Sequence, residues 1–116
     1  MKQDNLIRDK SFNFALLIIK LYRQLTTMHE YVISKQILRS ATSIGANIEE
    51  ALAGQSKKDF LHKMAIASKE ARETRYWLNL LDESRFVDID YKIYIEEIEN
   101  IVNILTKIVK TSSNLG

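Results

Sequence analysis

The chain contains no cysteine and no proline, and glycine stands only at positions 45, 54 and 116. Without cysteine there is no disulfide framework, no thiolate metal site and no thiol nucleophile. Without proline nothing forces a break in a helix, and so few glycines leave little material for tight turns. Long apolar runs are missing too. "FALLIIKLY" (Phe14–Tyr22) is broken by Lys20 and falls well short of the roughly 20 residues that span a bilayer. The opening "MKQDNLIRDK" is polar and lacks the order of a secretion signal, so a soluble, cytoplasmic protein with no membrane partner is expected. Net charge is small as well: 17 Lys and Arg against 15 Asp and Glu leave +2, too little to announce nucleic acid by itself.

What is present is a recurrence of apolar residues at intervals of three and four along 116 residues, enough for one domain. The reading is all-α, with helices over about 11–28, 34–53, 57–83 and 90–111. Ser11 is expected to cap the first, and Gly54 to close the second with its φ freedom. "SKKD", from Ser56, has the shape of a capping box for the third, and Asp88 or Asp90 should cap the fourth. The tail "SSNLG" is expected to fray. Short connections between long helices make neighbours antiparallel, which gives an up-down-up-down four-helix bundle.

Placed at about 100° per residue, the first and fourth helices carry more apolar surface than a bundle interior needs. In the first, Phe12, Ala15, Leu16, Ile19 and Tyr22 lie on one side and Phe14, Leu17, Ile18, Leu21 and Leu25 on the other. In the fourth, Tyr91, Ile95, Ile98, Val102, Leu105 and Val109 form one stripe, with Tyr94, Ile101, Ile104 and Ile108 beside it. Either copies of the chain cover the surplus in a homo-oligomer, or tilted helices cover it within one copy.

The second helix poses a different problem. Ser40, Ser43, Asn47 and Glu50 form a small polar stripe with Ala46 beside it, and Gly45 interrupts the helix at about 1 kcal/mol against alanine. Either these positions are merely solvated, or they permit close approach of another helix at an oligomer interface or tight packing site. Poor helix formers on a solvated face make close packing the preferred reading.

Charge is unevenly distributed. Lys57, Lys58, Lys63, Lys69, Arg72 and Arg75 fall in the third helix, while Asp82, Glu83, Asp88, Asp90, Glu96, Glu97 and Glu99 follow. The two segments could attract each other along an antiparallel pair, or the basic one could meet nucleic acid. In "RETRYWLNLL", Arg72 and Arg75 with Tyr76 and Trp77 could form a phosphate and base-stacking patch, or simply pack. Glu70 and Glu73 lie among core positions, and Arg39 is a candidate partner in a buried ion-pair network. No catalytic residues, cofactor or metal are assigned. "SIGAN" follows no strand, so it is no nucleophile elbow, and Asp59-x-x-His62 supplies only a fragment of a di-iron bundle site.

"LRSATSIGANIEEALAGQSKKDFLHKMAIASKEARETRYWLNLL" (Leu38–Leu81) and "KSFNFALLIIKLYRQL" (Lys10–Leu25) resemble the proteins encoded by bacterial 23S rRNA intervening sequences, also described as S23 ribosomal proteins. The resemblance implies a left-handed bundle assembled as a homopentamer, with no established enzymatic activity. It also implies kinship with the accessory variability determinant of diversity-generating retroelements, a pentamer that binds a reverse transcriptase and nucleic acid through basic surface. The expectation is therefore a non-enzymatic helical oligomer that binds RNA or a nucleoprotein partner. The alternative is a scaffold that recruits a protein such as a reverse transcriptase without touching nucleic acid.

Overall fold

The computed structural model describes residues 2–115, with side chains described for residues 4–114. Four helices follow one another: α1 (Lys2–Thr27), α2 (Ile33–Leu52), α3 (Lys57–Ser84) and α4 (Lys92–Leu115). Helices consecutive in sequence touch, α4 closes back onto α1, and among the described residues the diagonal pairs do not meet. This is the expected up-down-up-down arrangement, drawn out to 45 × 21 × 21 Å. Twenty-eight residues of α3 at about 1.5 Å each nearly span the long axis.

The core spacing explains the arrangement. The main buried stripe runs 7, 11, 14, 18, 21, 25 on α1, 34, 37, 41, 44, 48, 51 on α2, and 64, 67, 71, 74, 78, 81 on α3, with Ser40 and Ser68 buried beside it. These alternate threes and fours repeat every 3.5 residues on average, the period that winds neighbouring helices left-handedly about each other.

The first helix begins well before the expected residue 11. Ser11 is no cap: it is buried mid-helix and its Oγ donates to the Arg8 carbonyl at 3.0 Å. Ile7, fully buried, carries the core stripe back into the polar-looking opening segment. At the other end of the chain α4 continues through the supposed frayed tail to Leu115; Gly116 lies outside the described residues.

The connections are closed by side chains more than by glycine. His29 takes φ 67° after α1, with its N–H on Thr26 O and the Glu30 N–H on Leu25 O, a Schellman-type ending without glycine. The buried Glu30 carboxylate then accepts from the N–H groups of Val32 (3.0 Å), Ile33 (2.9 Å) and Ser34 (2.6 Å), satisfying the first turn of α2. Gly54 does not use positive φ: α2 ends at Ala53 with φ −88°. Its value is room, since a Cβ there would stand 3.1 Å from the Ala51 carbonyl oxygen. Ser56 caps α3 by accepting from Asp59 N at 3.1 Å, and Asp90 accepts from Lys92 N at 2.9 Å at the start of α4. Arg85, at φ 53°, ends α3.

The surplus apolar arcs have different fates. On α4 the second stripe is drawn inward, with Ile101 and Ile108 buried and Tyr94 and Ile104 packed against the core. On α1 it is not: Phe12 is 65%, Leu16 47% and Ile19 40% exposed.

Candidate nucleic-acid interface

The small stripe of α2 is packed within the chain, against α3. Ser40 and Thr74 meet hydroxyl to hydroxyl at 2.7 Å. Lower down, Asn47 Nδ2 donates to the Ser43 carbonyl at 2.8 Å and to Ser43 Oγ at 3.0 Å, both residues half-buried. Glu50 ends the stripe in an ion pair with Lys63 at 2.7 Å. Gly45 lies on the far side of α2, where a Cβ would meet Ser11 Oγ of α1 at 3.5 Å, an ordinary contact. Within one copy a methyl fits there, so packing inside the chain does not require glycine at this position. Gly45 and the exposed Ala46 instead floor a shallow groove of about 420 Å³ between α1 and α2, bordered by Arg8, Phe12, Ala15 and Glu49.

The expected ion-pair network forms along the outer edge of the α2–α3 seam. Arg39 Nη1 binds Glu70 at 3.0 Å, and Nη2 binds Glu73. The Trp77 indole N–H donates to the same Glu73 oxygen at 3.0 Å. This hydrogen bond and the Arg39 guanidinium hold the Glu73 carboxyl below the usual carboxylate range. Its description as buried is corrected, because the Arg39 side chain is 51% exposed. Arg39 lies across the mouth of the seam, and only its partners reach inward.

The six basic residues of α3 divide. Lys63 is neutralised by Glu50, and Arg75 Nη1 by Glu99 of α4 at 3.2 Å. Arg72 donates to the Thr106 hydroxyl at 3.2 Å, and Lys57, Lys58 and Lys69 are exposed. Among the described residues none of these four has a carboxylate partner.

The antiparallel register decides what surrounds them. Arg72 opposite Thr106, and a shallow groove shared by Lys57, Lys58, Leu61, Ser112 and Ser113, set the last turns of α4 beside the first half of α3. Lys107 and Lys110, both exposed and, among the described residues, without a carboxylate partner, therefore extend the same basic half. The acidic segment lies at the other half, so among the described residues attraction between the two helices is realised in a single ion pair, Arg75–Glu99. Sequence reasoning missed Lys107 and Lys110; folding α4 back on α3 residue by residue would have found them.

Asp59 and His62 are exposed, and among the described residues no three His, Asp or Glu side chains converge. No helix among those residues is long and apolar enough to cross a membrane.

A four-helix bundle with one basic outer half and an open apolar strip on α1 is an architecture built around surfaces. The chain belongs to the 23S rRNA-intervening sequence protein family, whose model matches residues 3–107. It is also similar to a crystal structure from Bacteroides thetaiotaomicron VPI-5482, described as a protein of unknown function from the S23 ribosomal protein family. The two share 46% identity over 93% of this chain and 98% of that one, with a TM-score of 0.87. No curated protein matches the sequence.

Proposed function

We propose that the chain is a non-enzymatic, cytoplasmic homo-oligomer, a pentamer as the family resemblance implies, that holds RNA by its phosphates along the outer face of α3 and α4. One observation carries this reading: Lys57, Lys58, Lys69, Arg72, Lys107 and Lys110 share one half of that face and, among the described residues, none has a carboxylate partner, although the chain is nearly neutral overall. Asp59 and Glu70 lie on the same half of α3, but neither pairs with these cations; Glu70 is taken by Arg39. Unneutralised surface cations gain free energy by displacing the counterions condensed on a polyanion. The apolar strip Phe12–Leu16–Ile19 supports self-association, since burial is its remaining route away from water.

Filter binding over a range of salt tests the RNA reading. With up to six phosphate contacts to a single strand, log K should fall with log salt at a slope of roughly −3 to −4. Lys58→Glu with Lys69→Glu should remove most retention. An absence of retention for both single-stranded and structured RNA at about 50 mM salt overturns the reading.

A second reading rests on Met28, Tyr31, Val32 and Phe86, large side chains exposed on the two loops at one end of the bundle. They suit a scaffold that recruits a protein, such as a reverse transcriptase, without nucleic-acid contact. Capture of a protein partner that survives nuclease treatment and is lost with Val32→Asp or Phe86→Asp favours this reading.

A further inference from the structure

The cationic strip on α3 does not run the length of the helix. Lys58, Lys69 and Arg72 face solvent on one side, and the next position on that side, one turn further, is Tyr76. Beyond it come Leu80 and Glu83, with Glu96 and Glu99 on the adjoining part of α4. Phosphates are thus welcome up to Arg72 and repelled soon after. Tyr76 stands at the border.

Its ring is both open and braced. Tyr76 is 59% exposed. It meets Trp77 edge to face, with centroids 5.1 Å apart and planes at 71°. Trp77 is itself fixed through its indole N–H on Glu73, which Arg39 holds from α2. An aromatic surface held in place before binding loses little freedom when a ligand stacks on it.

We propose that Tyr76 is a stacking platform for an unpaired base at the end of the strand whose phosphates lie along Lys58, Lys69 and Arg72. This rests on the RNA reading above and narrows it: the RNA is single-stranded at Tyr76, a loop or a free end. In a continuous duplex each base face is covered by its neighbours, so a lysine row gains from either form of RNA but an exposed ring gains only from an open base. The tract from Lys58 to Tyr76 measures about 27 Å along the helix.

The test compares a single-stranded oligonucleotide with a blunt duplex of the same length, by filter binding and by Trp77 fluorescence. Trp77 is the only tryptophan, so its emission reports this spot alone. Tyr76→Ala should weaken single-strand binding roughly ten- to a hundredfold, leave duplex binding unchanged, and abolish the fluorescence response. Tyr76→Phe should restore most of the affinity. The salt slope should stay the same in Tyr76→Ala but become shallower by about 0.7 in Arg72→Ala, which separates base stacking from phosphate contact. Single-strand affinity within about twofold of wild type in Tyr76→Ala, or an equal loss on duplex, overturns the platform while the RNA reading stands. If wild type retains no RNA at all, both fall.

Discussion

Ser40 on α2 and Thr74 on α3 are both fully buried and share a hydroxyl–hydroxyl hydrogen bond of 2.7 Å. Thr74 Oγ1 also donates to the Glu70 carbonyl at 2.9 Å, a closer contact than the 3.4 Å from Ser40 Oγ to the Ile37 carbonyl, so Ser40 is assigned as the donor across the seam. The small residue at 40 lets the two backbones approach, and the hydroxyl keeps the contact from being a buried polar vacancy. Ser40→Ala should cost about 1 kcal/mol and Thr74→Val about 1–2 kcal/mol, the latter more because Ser40 loses its acceptor. The double variant should be less destabilised than the sum, by about 1 kcal/mol in a urea-unfolding cycle.

Glu30 works at a distance from the usual capping position. Its buried carboxylate gathers three N–H groups of the α2 entrance, and Ser34 Oγ returns a hydrogen bond of 2.8 Å to the Glu30 carbonyl. Glu30→Ala should destabilise by about 2–3 kcal/mol, since the amides lose their partners in a site closed to water. Glu30→Gln, which keeps one acceptor oxygen, should recover part of that loss by the same measurement.

The two internal glycines should respond oppositely to alanine. At Gly45 the new methyl makes only ordinary contact with Ser11, so Gly45→Ala should stabilise by up to about 1 kcal/mol through helix propensity. At Gly54 the methyl meets a backbone oxygen at 3.1 Å, and Gly54→Ala should yield no gain or a loss. Urea unfolding of both at one protein concentration decides it.

Acid should weaken the α2–α3 seam through Glu73. Its carboxyl is held low chiefly by the Trp77 indole and next by Arg39. A lowered folded-state pKa contributes stability that is complete above the ordinary carboxylate range and lost as pH falls through the lowered value. The stability difference between wild type and Glu73→Gln should therefore be largest near neutrality and shrink as pH falls below the ordinary carboxylate range. The side chain is a third exposed, so solvent screening keeps the effect below about 1 kcal/mol.

The apolar strip of α1 gives a direct test of assembly. Wild type should sediment as a particle several times its 13.5 kDa chain mass. Phe12→Asp with Leu16→Asp should yield a folded monomer, because both positions are solvent-facing within one copy. A monomeric wild type at high concentration contradicts the oligomer.

Much of this architecture was legible from spacing alone. Apolar residues at threes and fours gave four helices, Ser56 and Asp90 announced two helix starts, and the charges of Arg39, Glu70 and Glu73 did find one another. What escaped depended on single residues acting against their statistics. Ile7 alone extends α1, because one buried side chain in phase outweighs a polar neighbourhood. His29 and Arg85 occupy left-handed backbone where glycine would be expected, and Glu30 caps from outside the usual position. The basic face was half legible. Lys57, Lys58, Lys69 and Arg72 follow from one helix, but Lys107 and Lys110 join them only through the register of α4.

The sorting of charge along a 45 Å rod has a kinetic side. On the face of α3 and α4, where exposed lysines gather toward one end and glutamates toward the other, that sorting should orient the particle like a compass needle in the field of a polyanion. Such a particle should be turned before it touches RNA, with first encounters made by the lysine-bearing end. Association should consequently be fast and strongly retarded by added electrolyte, far more than a formal charge of +2 would suggest.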